Sequence, residues 1–143
     1  MPYFPLNMPV PEPTMDDAAF WASCAEKVLR FQACKACGAL RHPPTPVCAA
    51  CGSNAVVLRE APTRGRIYSY TVVHHAAHPT VASSVPYVVA GIEFPGLPGV
   101  RFISNVTDIE PRELAIGVEV ELWWDEQRDC CLPRFRPMPK PKT

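Results

Sequence analysis

Two short segments, Cys34-Lys35-Ala36-Cys37-Gly38 and Cys48-Ala49-Ala50-Cys51-Gly52, repeat one pattern ten residues apart. Thiolates three residues apart can turn onto one ion, and a glycine just after the second supplies the left-handed backbone that closes the knuckle. Two knuckles make a four-sulfur tetrahedral cage, so Cys34, Cys37, Cys48 and Cys51 are expected to hold a structural zinc ion. Iron in a rubredoxin-like cage is the alternative, because the ligand set serves either metal. A cage closed by four protein sulfurs leaves no position for water or substrate and does no Lewis-acid chemistry. Its contribution is folding free energy, on the order of 10 kcal/mol for sites of this type. His42 lies inside the loop between the knuckles but is not needed as a ligand.

The remaining candidates for chemistry are weaker. Cys24 reads as a small core residue, and the adjacent Cys130-Cys131 as free thiols, since a disulfide between neighbours is strained. His74, His75, His78, Ser83 and Ser84 supply nucleophile and base types within a short stretch. His74 and His75 point to opposite faces if the strand continues, and neither a nucleophile elbow nor a pair of acid/base carboxylates is present. No catalytic residue is therefore assigned. Tyr68 and Tyr70 share one strand face on which bases could stack, but the barrel segment carries more acidic than basic residues and offers no basic groove.

The elements that position the cysteines follow from patterning. Residues 1–13 contain five prolines and read as an extended arm, disordered or laid on a partner. Residues 14–31 read as an amphipathic helix capped by Thr14 and running from Met15 to about Phe31, with Asp16 and Asp17 where the helix dipole favours negative charge. Phe20, Cys24, Val28 and Phe31 form its stripe, flanked by Trp21, and the stripe must cover either this chain's core or a partner's surface. Residues 32–55 form the zinc ribbon.

From 56 to 137 the pattern is β. Val56–Glu60, Arg66–His75, Tyr87–Phe94, Val100–Val106 and Val118–Trp124 are rich in β-branched and aromatic residues, and a last strand near Cys130–Arg136 completes the set. Pro95-Gly96-Leu97-Pro98-Gly99 makes a turn, and a short helical turn within 108–116 is closed by Gly117. The fold class expected is mainly β with an N-terminal helix: a rubredoxin-like zinc ribbon followed by a five-stranded OB-fold barrel, with an open sandwich as the competing arrangement. Residues 138–143 are a tail.

The chain has 143 residues, 18 of them proline, and balances 14 basic against 14 acidic side chains. Zero net charge removes the usual electrostatic case for nucleic acid or a membrane surface. The longest uncharged stretch, 67–92, contains three histidines and two prolines, so it is not expected to span a bilayer. No secretory signal is visible, and paired rather than scattered cysteines suit a reducing compartment, so a cytoplasmic location is expected.

The ordered combination of these features carries a resemblance. Phe20-Trp21 is followed by the two knuckles separated by Pro43-Pro44, then by 65–74 (Gly-Arg-Ile-Tyr-Ser-Tyr-Thr-Val-Val-His). Pro86-Tyr87-Val88-Val89-Ala90, Ile116-Gly117 and Phe135-Arg136-Pro137 come next. Over about 16–137 the chain resembles the DUF35 family of zinc-ribbon, OB-fold proteins. The resemblance implies a small second subunit in acyl-CoA metabolism, beside a thiolase-like enzyme or a hot-dog-fold hydratase that carries the catalytic residues. The thiolase-like partner would act as thiolase, acyltransferase or retro-aldolase, and the small subunit would stabilise it and help form or channel the acyl-CoA site.

On that reading Phe20, Trp21 and Phe31 are interface anchors, and Arg64 and Arg66 at the barrel entrance meet the phosphates of coenzyme A. Surface pairing of these arginines with Glu60 or Asp125 is the alternative. A single-strand-binding OB module and a stand-alone thioester hydrolase remain the competing functions.

Overall fold

The computed structural model describes residues 2–139; Met1 and the tail residues 140–143 lie outside the described residues. Helix α1 spans Ala18–Ala25, followed by β1 (Arg30–Cys34), β2 (Leu40–Arg41) and β3 (Val56–Glu60). The barrel strands are β4 (Arg64–Val73), β5 (Tyr87–Phe94), β6 (Leu97–Val106), β7 (Glu119–Gln127) and β8 (Cys130–Pro137). They close in the order β4-β5-β6-β8-β7, which removes every free edge from the barrel. The expected five-stranded barrel behind a ribbon is what forms.

The helix is shorter than its apolar spacing suggests. It stops at Ala25; Lys27 takes φ 59°, the Ser23 hydroxyl donates to the Val28 carbonyl at 2.6 Å, and the chain turns into β1. Phe31 therefore sits on a strand and not on the helical stripe. After the turn, pairing of residues 30–34 with 56–60 fixes the segment as a strand.

The strand Val56–Glu60 also departs from expectation. It pairs antiparallel with β1 from Cys34↔Val56 to Arg30↔Glu60, making the ribbon a three-stranded sheet ordered β2-β1-β3. It belongs to the ribbon, and the barrel begins at Arg64. The turn between β5 and β6 is tighter than five residues: Pro95-Gly96 alone makes it, with Gly96 at φ 78°, and β6 resumes at Leu97. The short helical turn within 108–116 is a 3-10 turn at Pro111–Glu113.

One core joins all three parts. Phe31 of the ribbon lies 5.5 Å from Phe94 and 5.7 Å from Phe102 of the barrel, and Phe20 of the helix lies 5.9 Å from Phe102. Phe135 closes the cluster from β8, 5.9 Å from Phe94. Aromatic centroids at this separation pack edge or tilted, burying large area with favourable quadrupole geometry.

The proline-rich arm is anchored on this chain's own barrel. Phe4 is buried and packs edge-on to Tyr87 at 5.2 Å. The Tyr3 N–H donates to the Asp125 carboxylate at 3.2 Å, and the Gln127 side-chain amide donates to the Pro5 carbonyl at 2.8 Å.

Candidate functional site

The knuckles form as their spacing requires. In each, the glycine N–H returns to the carbonyl of the first cysteine at 2.8 Å, Gly38 to Cys34 and Gly52 to Cys48. Both glycines hold positive φ, 79° and 77°, which a side chain would strain. The first knuckle follows directly from β1, and the Lys35 N–H bonds the Ala55 carbonyl at 3.0 Å to tie it to the entry of β3.

The four sulfurs lie within 4.8 Å of one another, with Cys34 to Cys51 at 3.5 Å and Cys37 to Cys48 at 3.7 Å. A tetrahedron with zinc–sulfur bonds of ~2.3 Å has edges of about 3.8 Å, so the geometry fits one ion. Backbone dipoles prepare the thiolates. The N–H groups of Cys37 and Ala36 pull the Cys34 thiol down to about 6, and those of Cys51 and Ala50 lower Cys48. Cys51 is pushed up to about 11, against the Ser53 N–H, because its proton is shared with the Cys34 and Cys37 sulfurs. Four crowded sulfurs cannot all ionise unaided, and a dication resolves that conflict. The residues fit a structural metal ion.

His42 is not drawn into this centre. Its ring packs among Phe20, Phe31 and Phe102 at 5.0–5.3 Å, and burial pushes its imidazole down to about 4. Cys24 is buried in the core, where desolvation, with the Cys131 thiol adding to it, pushes its thiol up to about 12 and leaves it inert.

A cleft of about 480 Å³ opens where β4 meets the β5–β6 hairpin, and Arg64 and Arg66 line it together with Arg101, Glu93, Phe94, Leu97 and Glu119. Gly65 lies buried between the two arginines, where a Cβ would meet Ile92 Cγ2 at 2.6 Å and the Glu93 carbonyl at 2.9 Å. Arg66 pairs with Glu93 at 2.9 Å, and Arg101 approaches the same carboxylate at 3.8 Å. Arg64 makes no ion pair among the described residues. The partner of Arg66 is thus neither Glu60 nor Asp125; Asp125 is committed to Arg134.

Arg101 and Glu93 belong to this cleft yet have no local signal in the sequence. They face each other because the regular β5–β6 register, carried one residue past Ile92↔Phe102, sets 93 opposite 101 just before the irregularity that leads to Phe94↔Leu97. Arg101 also lies over the Tyr68 ring at 4.1 Å, using one of its faces, while the Tyr70 hydroxyl donates to the Leu114 carbonyl at 3.4 Å.

Of the three aromatic residues expected at an interface, Phe20 and Phe31 are 5% and 1% exposed and serve this chain's own core. Trp21 alone of the three is left half-buried, lining shallow clefts on either side of α1. The histidine and serine group does not converge: His78 caps the 3-10 turn at Pro79–Val81 through Thr80, and among the described residues none of the three histidines hydrogen-bonds Ser83 or Ser84. Among the described residues, no helix is long and apolar enough to cross a membrane.

A closed four-cysteine ribbon packed on a five-stranded barrel defines a zinc-ribbon, OB-fold protein. Two family profiles agree: ChsH2, rubredoxin-like zinc ribbon domain, over residues 21–57, and ChsH2, C-terminal OB-fold domain, over residues 58–125. A solved chain described as Ltp2-ChsH2(DUF35) aldolase superposes with a TM-score of 0.81 at 40% identity, covering 90% of this chain and 98% of that one.

Among curated relatives, a probable enoyl-CoA hydratase alpha subunit of Thermomonospora curvata is 42% identical over 130 residues, 89% of this chain and 40% of that protein. A 3-oxo-4,17-pregnadiene-20-carboxyl-CoA hydratase alpha subunit of Mycobacterium tuberculosis is 34% identical over 89% of this chain and 39% of its own length. The chain therefore spans about two fifths of the hydratase subunits it matches. A DUF35 domain-containing scaffold protein of Methanothermobacter thermautotrophicus is 30% identical over 67% of this chain and 71% of that protein. The protein belongs to the DUF35 (ChsH2) family.

Proposed function

We propose that this protein is a non-catalytic subunit of an acyl-CoA-processing complex, holding a structural zinc ion and supporting a thiolase-like partner that acts as an aldolase. The observation that carries this reading is the likeness to the ChsH2 chain of an aldolase assembly, which covers that chain almost end to end. The internal chemistry is consistent with it. The metal cage is closed, Cys24 is inert, and the histidines and serines do not converge.

The cleft between β4 and the β5–β6 hairpin meets the phosphates of coenzyme A. Arg64 lines it and has no counter-ion among the described residues, and a guanidinium binds phosphate through paired, charge-assisted hydrogen bonds. A hydratase partner is the second reading, favoured by the two hydratase alpha subunits that contain a matching region. Either complex would work in the cytoplasm.

The test is copurification of the tagged chain from its own host, identification of the companion by mass spectrometry, and assay of complex and isolated chain with steroid and short-chain acyl-CoA esters. Carbon–carbon cleavage by a complex containing a thiolase-like subunit, with an inert isolated chain, supports the first reading. Hydration by the complex supports the second. Thioester hydrolysis by the isolated chain, or retention on single-stranded DNA at physiological salt, overturns both.

A further inference from the structure

A second hollow, of about 350 Å³, adjoins the arginine cleft. It is floored by β5 at Gly91 and walled by Tyr68 of β4 and Ile103 of β6, and Arg101 lines both hollows. Gly91 stands opposite Ser69 on one side and Ile103 on the other, so the floor between the walls carries no side chain there. Both walls are open to solvent, Tyr68 at 49% and Ile103 at 64% exposed. The β4–β5 register slips by one residue between Ile67↔Ile92 and Ser69↔Gly91, which sets Tyr68 and Ser69 together against Gly91. Such a bulge bends the strand and re-aims a side chain. The side chain re-aimed here is Tyr68, whose ring meets the Arg101 guanidinium at 4.1 Å.

This arrangement favours one kind of occupant. A tyrosine ring with a guanidinium stacked on it is a flat platform, on which a planar heteroaromatic ring gains both stacking and cation–π attraction. Arg101 also belongs to the cleft where Arg64 and Arg66 offer charge-assisted hydrogen bonds to phosphate. The platform and the phosphate donors are therefore one side chain apart, a separation that a nucleotide bridges with a single ribose. Glu93 and Glu119 interrupt the arginines, so the positive charge is local and suits one phosphorylated group, not the continuous backbone of a strand. An aliphatic acyl chain laid in the same hollow would take water from Arg101 and give the guanidinium nothing in return.

We infer that this hollow seats the adenine ring of coenzyme A, stacked on Tyr68 and Arg101 with its edge against Ile103, while the neighbouring arginines hold the phosphates. The inference rests on the proposed acyl-CoA function and adds to it that the small subunit reads the base of the ligand as well as its charge. Tyr68 is then a specificity-determining residue for adenosine-bearing thioesters, acting at the end of the ligand remote from the thioester.

The experiment is steady-state kinetics of the purified complex with two esters of one acyl group. One is the coenzyme A ester; the other is the phosphopantetheine ester, which keeps the thioester, the pantetheine arm and one phosphate but lacks the adenosine. Tyr68→Ala should raise KM for the coenzyme A ester about tenfold with kcat nearly unchanged, and should leave KM for the phosphopantetheine ester where it is. Ile103→Ser should act in the same direction by about threefold, through lost apolar contact with the ring. Both substitutions alter exposed side chains, so metal content and melting temperature should hold. A complex in which neither variant changes KM for the coenzyme A ester overturns the inference and leaves the proposed function standing. An equal rise with both esters, or weaker binding of the companion subunit by Tyr68→Ala, overturns it in favour of a protein contact on this face. Absence of acyl-CoA turnover by any complex that contains this chain overturns both.

Discussion

Arg134 donates from Nε to the Asp125 carboxylate at 2.6 Å across β7 and β8, and both side chains are almost wholly buried. The same carboxylate accepts the Tyr3 N–H, Asn105 Oδ1 accepts from Arg134, and the Tyr3 and Phe4 rings lie 5.3 Å and 5.1 Å from the guanidinium. The pair is therefore the point where the proline-rich arm is fastened to the barrel. The arm cannot be detached without baring a buried ion pair to one side.

Removing one member of that pair leaves the other buried without a counter-charge. Arg134→Ala is expected to lower the unfolding free energy by about 3 kcal/mol, the scale for a broken buried pair. Replacing both with apolar residues, Asp125→Leu with Arg134→Met, should recover much of the loss, because the desolvation cost disappears with the charges. Urea unfolding midpoints measure both. The single variant should also speed amide exchange at Tyr3, since its acceptor loses the group that positions it.

Metal removal should reach beyond the ribbon. Phe31 stands three residues before the first ligand and packs against Phe94 and Phe102 of the barrel, so the cage and the barrel share one core. A chelator strong enough to strip the ion should lower the melting temperature of the whole chain in a single transition. Cys37→Ser should do the same while binding substoichiometric zinc. Two separate transitions would show that the modules fold independently. Elemental analysis of the untreated protein should give one ion per chain, and zinc distinguishes itself from iron by the absence of thiolate-to-iron absorption.

His42 adds a pH dependence of its own. Its imidazole has a folded pKa of about 4, below the ordinary 6.5, because burial among phenylalanines penalises the charged form. Between those values the unfolded chain binds a proton that the folded chain refuses, so unfolding takes up a proton and stability falls as the pH drops. The contribution is intact above about pH 6.5 and is lost progressively towards pH 4, amounting to about 2 kcal/mol once partial solvent exposure is allowed for. Protonation of the cysteine cage acts in the same acid range. The quantity to measure is therefore the difference between wild type and His42→Phe: it should shrink or reverse in the variant's favour between pH 7.5 and 5.5.

What could be read from residues alone follows the range of the interaction that decides it. The knuckles depend on two cysteines and a glycine within five residues, and strands such as β7 depend on an alternation of period two. Local chemistry settles both. Phe31 is different, because its spacing from Phe20 and Val28 fits a helical stripe equally well. Only the turn at Lys27, fixed by Ser23 and Val28, sends it into a strand. Membership of β3 in the ribbon is decided by pairing with β1 some 25 residues away, and the Glu93–Arg101 approach by the register of β5 on β6. The arm's composition announces an extended chain, but its destination lies in a contact from Tyr3 to Asp125, 122 positions apart.

Gly65 is a position where one methyl group would be felt at two levels. A Cβ there would come within 2.6 Å of Ile92 Cγ2 and 2.9 Å of the Glu93 carbonyl, and the latter is backbone that cannot rotate away. Gly65→Ala should cost about 2 kcal/mol, the range for overpacking, read from the urea midpoint. It should also displace Arg64 and Arg66 from the cleft they flank. The same substitution at Gly91, where the nearest atom is Ile103 Cδ1 at 3.5 Å, should cost far less and serves as the control.

The arginine cleft supplies the sharpest test of a coenzyme A contact, because its three arginines are not equivalent. Arg66 and Arg101 are held by Glu93, so removing either changes the charge and also frees a carboxylate in the cleft. Arg64 carries no such obligation, and Arg64→Ala removes a cation while leaving the Glu93 network in place. In the assembled complex this variant should raise KM for the acyl-CoA ester about tenfold with kcat nearly unchanged, the pattern for lost uniform binding of a remote phosphate. The effect should fade for a truncated pantetheine thioester that lacks the phosphates, and it should diminish as salt is raised. An equal loss with both substrates would instead mean that Arg64 supports the partner and not the nucleotide end of the ligand.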